Sequence, residues 1–323
     1  MAINGKPTVI STFAGTGGSS LGYHMAGFQE LLAIDFDEDA VEAFKLNFPD
    51  VPVWHASVVD VKPDDILRFC KLERGQLDVF DGSPPCQGFS SAKGKVNVND
   101  DRNDLFKEFV RLVDGLQPKV FVMENVSGMI RGKMKGRFIR IMEEVKSMNY
   151  EVKAKVLNAM YYGVPQSRER IFFIGVRKDL NKIPVFPTPS PNLVTVADAL
   201  KTVVNVGHYP PITNAFIRSI LHRLKPGEQA SKYHAKGSFF NSSRYPLNAP
   251  APTMTKMIPV GGVFHPLENR HISINEAKAI CSFPQDWKLS DNFAKAWARL
   301  GNAVMPLQMR AIAETIAREI LSK

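Results

Sequence analysis

The sequence predicts an α/β fold, a mostly parallel sheet flanked by helices, with a smaller irregular domain attached. Three observations lead there. Short apolar runs alternate with amphipathic segments from Thr8 to Arg177, the signature of β-α-β units. A glycine-rich turn, Gly15-Thr16-Gly17-Gly18, follows the first apolar run, at the sheet edge where such folds meet a ligand. Beyond residue 181 the periodicity fades, and Pro184, Pro187, Pro189 and Pro191 crowd together, as at a domain crossing.

Residues 8–13 read as a first strand and 31–35 as a second, each a short apolar run. The glycine turn opens a helix over 19–26. Residues 39–48 carry apolar side chains at helical spacing behind acidic residues in the first turn. Residues 77–80 and 119–123 are further buried strands. Between them, residues 104–116 place Leu105, Phe109, Leu112 and Leu116 on one helical face. Residues 170–177 form the last clear strand of this half. Residues 192–270 mix glycine, proline, asparagine, serine and aromatics, which predicts irregular structure. Helices are expected over 274–280 and 306–321. The predicted division is 1–185 with 298–323 as one domain, 186–272 as a second, and 273–297 as a hinge.

The chain has 323 residues, 44% hydrophobic and 23% charged, the composition of a globular protein. No apolar run is long enough to span a bilayer, and the first residues lack the basic-then-apolar pattern of a secretory leader. A cytoplasmic location and no membrane partner are therefore expected. Cys70, Cys86 and Cys281 are widely spaced; they form neither a disulfide framework nor a zinc pattern, and no metal is expected. The net charge of +9 suits a polyanionic partner.

The chemistry concentrates in Gly82-Ser83-Pro84-Pro85-Cys86-Gln87-Gly88-Phe89-Ser90. Two prolines force an extended backbone before the thiol, and the flanking glycines admit a ligand. A lone cysteine is most often a small buried hydrophobe, so the rest of the chain has to decide. Asp35 ends the second strand, where a carboxylate accepts hydrogen bonds from ribose hydroxyls, and Phe36 beside it suits an adenine. The glycine spacing is not G-x-G-x-x-G, which disfavours a nicotinamide dehydrogenase.

At this point the chain resembles the DNA cytosine-5 methyltransferases, through an ordered series of motifs. Phe13-Ala14-Gly15-Thr16-Gly17-Gly18 is similar to the family's cofactor loop, and Asp35-Phe36 to its ribose and adenine contacts. Pro85-Cys86-Gln87 resembles the catalytic Pro-Cys motif, and Arg102-Asn103-Asp104-Leu105-Phe106 the segment behind it. Glu124-Asn125-Val126, Gln166-Ser167-Arg168-Glu169-Arg170 and Arg299-Leu300-Gly301-Asn302-Ala303-Val304 resemble three more. Together they cover residues 13–304.

The resemblance implies a Rossmann-like domain that binds S-adenosyl-L-methionine, yielding S-adenosyl-L-homocysteine, and a smaller target-recognition domain. It implies methyl transfer to carbon 5 of a flipped-out cytosine in a short duplex DNA sequence. Cys86 is the expected nucleophile. Glu124 would hold or protonate ring nitrogen 3, a role that burial raising its pKa would suit. Asn125 would fix the loop around Glu124 and Pro85. Arg168, Arg170 or both would reach the cytosine or its phosphate, with Arg170 the better placed.

Cofactor contacts are expected from Phe13, Gly15, Thr16, Gly17, Gly18, Asp35, Phe36, Ser57, Pro85, Leu105, Asn302 and Val304. DNA contacts are expected from Gln87, Ser90, Arg102, Gln166, Arg244 and Thr253. Departures are Ser57, where the family often has an aspartate, Ser11-Thr12-Phe13 for Asp-Leu-Phe, and 279–284, where only Phe283-Pro284 survive. The expected partner is double-stranded DNA, with a companion restriction endonuclease encoded elsewhere; a monomer suffices, associated with the nucleoid through DNA. The rivals are an RNA (tRNA) cytosine-5 methyltransferase and a catalytically silent DNA-binding accessory subunit.

Overall fold

A computed structural model describes residues 5–85, 105–130 and 135–322. It divides into two compact units. The first comprises Met1–Leu157, Glu169–Thr188 and Met309–Lys323, and the second Asn158–Arg168 and Pro189–Gln308.

The first unit follows the predicted alternation. Its elements are β1 (Thr8–Thr12), α1 (Gly18–Met25), β2 (Gln29–Asp35), α2 (Glu38–Asn47), β3 (Val53–His55), α3 (Pro63–Cys70), β4 (Val79–Gly82), α4 (Leu105–Leu116), β5 (Val120–Val126), α5 (Lys135–Ser147), β6 (Tyr150–Asn158) and β7 (Glu169–Arg177). The strands form one seven-stranded sheet in the order β3-β2-β1-β4-β5-β7-β6. The pairs from β3 through β5 are parallel, and β7 runs antiparallel to β5.

Local chemistry explains the helices. Asp37 caps α2 by accepting from the Ala40 amide at 3.2 Å, with Glu38 and Asp39 favourably placed against the helix dipole. Helix α4 buries Phe106, Phe109, Leu112, Val113 and Leu116. The pattern reading overlooked α3 and α5; α3 starts with proline and buries only Ile66 of its residues, too thin a stripe to read.

Alternate strand residues face opposite sides. Ile10, Leu32, Ile34, Phe80, Phe121, Met123, Ile171 and Phe173 join one core cluster with residues of α3, α4 and α5. Phe109 lies 5.2 Å from Phe80 and 6.2 Å from Phe121, centroid to centroid; truncating such a ring costs about 3–5 kcal/mol.

Strand order reverses between β1 and β4, since β2 and β3 lie outside β1 while β5 lies outside β4. In open α/β sheets the crevice beyond the carboxyl ends at such a reversal is the ligand site. The glycine turn follows β1 and Pro84-Pro85 follow β4, so both predicted motifs leave the sheet at this point. Gly82 is required there: a Cβ would come within 2.4 Å of Thr12 Oγ1 and 2.7 Å of the Phe109 ring.

The second unit is irregular, as expected. It holds α6 (Val196–Lys201), α7 (Ala215–Ile220), β8 (Ser243–Arg244), β9 (Val263–Phe264), α8 (Ile274–Ile280) and α9 (Phe293–Asn302), while α10 (Pro306–Ile316) begins in this unit and ends in the first. Capping boxes start α6 (Thr195 with Asp198) and α8 (Ser273 with Glu276). Ile217, Ile220, Leu221, Leu224, Ala230 and Phe264 form a small core. The observed division differs from the predicted one: residues 273–297 belong to the second unit, and so do Asn302 and Val304. Composition alone could not reveal this, because α8 packs against both α6 and α9 and is integral to that unit rather than a hinge.

Candidate active site

The turn between β1 and α1 takes its shape from backbone angles that favour glycine. Gly15 and Gly17 have φ of 57° and 89°, and Phe13 adopts 54°. A Cβ on Gly17 would strike Phe48 at 2.5 Å, whereas one on Gly15 would meet nothing within 4 Å; the loop is packed below and open above. Asp35 holds it from the end of β2. One carboxylate oxygen accepts from the Gly15 amide at 2.7 Å, the other from the Asp37 amide at 2.9 Å. The Phe36 ring alongside is 66% exposed. Ser57 lies just beyond β3, its hydroxyl facing the Val59 amide at 3.4 Å. The preceding Ala56 amide bonds to the Asp35 carbonyl at 3.0 Å. These residues fit an adenosyl cofactor: an open glycine cradle, an anchored carboxylate and a free aromatic face.

On the other side of the reversal, Asn125 is buried and donates from Nδ2 to the Pro84 carbonyl at 2.9 Å. Its Oδ1 accepts from the Val126 amide at 2.9 Å. The residue that Asn125 holds is Pro84, where Pro85 is the expected neighbour. Glu124, one residue earlier, pairs with Arg170 Nε at 2.8 Å, both side chains largely buried. Arg170 also donates to the Glu169 carbonyl at 2.8 Å. The register explains the pair: Val126 lies opposite Arg170 and Glu124 opposite Phe172, so the two are diagonal neighbours on one face. Leu105 and Phe13 both pack at the margin of the core cluster. Cys86, Gln87, Ser90 and Arg102 lie outside the described residues.

A third knot belongs to the second unit. Arg168 is 1% exposed. Its guanidinium donates to the carbonyls of Met254 at 2.8 Å, Gly301 at 2.9 Å and Ala303 at 3.0 Å. It thereby brackets Asn302, whose own side chain is exposed. Gly301 is pressed against Thr255, where a Cβ would approach the carbonyl oxygen to 2.4 Å.

A family model described as C-5 cytosine-specific DNA methylase matches residues 7–318. The chain belongs to this family. Type II methyltransferase M1.HphI of Haemophilus parahaemolyticus is 36% identical over 96% of this chain and 87% of its own length. Type II methyltransferase M.XorII of Xanthomonas oryzae pv. oryzae is 30% identical over 98% and 86%. Among solved structures, a prophage-encoded E. coli protein assigned as a DNA modification methyltransferase superposes with a TM-score of 0.78 at 26% identity, covering 98% of this chain and all of the other. The Spodoptera frugiperda DNMT2 mutant, at 18% identity and a TM-score of 0.69 over 98% and 100%, shares the fold. As a methylase of this family, the protein uses S-adenosyl-L-methionine as methyl donor.

Within the methylase, three predicted contacts turn inward. Arg168, expected to reach the base or a phosphate, is instead buried among carbonyls and holds the Gly-Asn turn. Gln166 is fully buried; its amide donates to Cys281 Sγ at 3.3 Å and accepts from the Met254 amide at 3.1 Å. Arg244 is buried too, donating to the carbonyls of Leu221, His265 and Glu268 and to Asn269 Oδ1. A buried guanidinium must satisfy its donors, and irregular backbone supplies the carbonyls. Thr253 is exposed, with its hydroxyl on the Ser167 carbonyl at 2.7 Å. Val304 is buried.

The sequence reading missed Asp81. It is the penultimate residue of β4, is buried, and accepts from Ser19 Oγ at 2.6 Å and Tyr23 at 3.4 Å. Burial pushes its carboxyl up to about 7, opposed by the Ser19 hydrogen bond and reinforced by the charges of Glu30 and Glu124. An acid inside the apolar run Val79-Phe80-Asp81 was the available signal. Burial also pushes the Cys70 and Cys281 thiols up to about 11, so neither is a thiolate at neutral pH. No helix among the described residues is long and apolar enough to cross a membrane.

Proposed function

We propose that this methylase transfers a methyl group from S-adenosyl-L-methionine to carbon 5 of a cytosine rotated out of a specific duplex DNA sequence. The observation that carries the reading is the grouping at the sheet reversal. The glycine cradle with Asp35 and Phe36 leaves β1 and β2, Asn125 clamps the loop that leads into Cys86, and Glu124 stands beside it, paired with Arg170.

The chemistry follows from the substrate. Carbon 5 of cytosine is a poor nucleophile within an aromatic ring. Addition of the Cys86 thiolate to carbon 6 breaks that aromaticity and makes carbon 5 enamine-like. Glu124 assists by sharing a proton with ring nitrogen 3, which draws electron density from carbon 6. Arg170 fixes the Glu124 carboxyl and approaches the base. Asn125 acts through the Pro84 carbonyl, keeping the loop extended. The bound cofactor supplies an electrophilic methyl group; Gly15, Asp35 and Phe36 hold its adenosyl part. Loss of the carbon 5 proton to a base and departure of the thiolate restore the ring. Stacking inside a duplex denies access to carbon 6, so the target base must leave the helix.

The relatives' names as Type II methyltransferases support a DNA substrate in a restriction-modification setting. A companion endonuclease of the same specificity would then be a separate protein. The place of action is the cytoplasm, on the nucleoid, where that DNA lies. The test is bisulfite sequencing of unmethylated genomic DNA after incubation with protein and cofactor. Protection in one short context is expected from the wild type and none from Cys86→Ala, which should still bind DNA. Unchanged protection by Cys86→Ala would overturn the mechanism.

A further inference from the structure

Asp81 is not explained by cofactor binding or by the reaction as described. It lies directly opposite Val122 on β5 and opposite Ser11 on β1. Glu124 is two residues beyond Val122, so both acids point to the same face as diagonal neighbours on adjacent parallel strands. The same face carries Arg170 on β7. A buried acid next to another acid is unfavourable, yet Asp81 is held there by two hydroxyls of α1, Ser19 and Tyr23.

We propose that Asp81 is a positioning residue of the methyl-transfer reaction, its carboxylate acting through Glu124 to help that residue keep the proton it shares with the base. This rests on the role given to Glu124 above. The groups facing Asp81 are Ser19 and Tyr23 from α1, Glu30 from β2 and Glu124 from β5; Glu124 in turn faces Arg170 from β7. Glu30 is itself engaged by Ser20 at 2.8 Å and His24 at 3.3 Å. Arg170 favours the ionised form of Glu124, and Asp81 opposes it.

The opposition depends on pH because Asp81 titrates near about 7. Below that it is neutral and silent. Above it, its charge raises the proton affinity of Glu124. The two groups titrate as a coupled pair. The carboxylate thus keeps a larger protonated share of Glu124 at neutral and mildly alkaline pH than a Glu124–Arg170 pair without it would have.

The experiment is a pH–rate profile of single-turnover methylation for wild type, Asp81→Asn and Ser19→Ala. Asparagine keeps an acceptor for Ser19 without the charge. The Asp81→Asn profile should merge with the wild type below about pH 6 and fall about tenfold below it above about pH 8. Ser19→Ala keeps the Asp81 carboxyl but removes a hydrogen bond that holds its pKa down, so it should keep the shape of the wild-type profile moved to higher pH. Asp81→Ser serves as the neutral variant if asparagine prevents folding. A uniform loss at every pH, or no change, overturns the proposal. Glu124→Gln is run in parallel: if it methylates normally, the role of Glu124 fails. If it is inactive while Asp81→Asn keeps the wild-type profile, only the Asp81 proposal fails.

Discussion

Arg168→Met tests the assignment of a buried arginine to architecture. Methionine keeps an unbranched apolar stem and removes every donor. Three carbonyls, on Met254, Gly301 and Ala303, lose a partner at 2.8–3.0 Å in a place where Arg168 is 1% exposed. Each hydrogen bond from a charged donor contributes about 1.5–3 kcal/mol, and an unsatisfied buried acceptor costs about 1–3 kcal/mol. Some carbonyls will rehydrate, so the net loss should be about 3–5 kcal/mol. That corresponds to a fall in melting temperature of roughly 10 °C. Trp287 and Trp297 are both buried in the second unit, so tryptophan fluorescence during thermal or urea unfolding reports the change. Arg168→Lys keeps the charge but cannot reach three carbonyls, and should recover only part of the loss. If Arg168→Met melts with the wild type while methylation collapses, the guanidinium is contacting substrate and the reasoning is refuted.

Asn125→Ala should lower the single-turnover rate by about a hundredfold through misplacement of the loop behind Pro84. Isothermal titration should find cofactor affinity nearly unchanged. Phe36→Ala should weaken S-adenosyl-L-homocysteine binding by about tenfold, measured by the same method. Asp81 also predicts a stability trend. Its folded-state value, about 7, lies above the ordinary 3.8, so the folded state binds the proton more tightly. The stability this supplies is present in full below about pH 4 and is lost as pH rises through 7. On going from about pH 8 to 5, the wild type should therefore gain about 3 kcal/mol relative to Asp81→Asn, read from urea unfolding.

Several elements were determined by the sequence alone. The strand–helix alternation required a doubly wound sheet, because apolar runs of this length can be buried only between helical layers. Asp35 and the glycine turn were legible for the same reason: glycines at positive φ and an acid at a strand end have few other uses. Glu124-Asn125 could be read as a motif.

Only the tertiary structure decided what each polar side chain points at. Arg168 and Arg170 are two residues apart in one motif, yet one fastens carbonyls in the second unit and the other grips Glu124 in the first. Nothing in their spacing separates them, since the chain passes from one unit to the other between Arg168 and Glu169. The diagonal of Asp81, Glu124 and Arg170 likewise depends on strand register across β4, β5 and β7, a relation between residues far apart in sequence. Local pattern fixes which way a strand's residues alternate. Hydrogen-bonded register, set by packing of the whole sheet, fixes which charges meet.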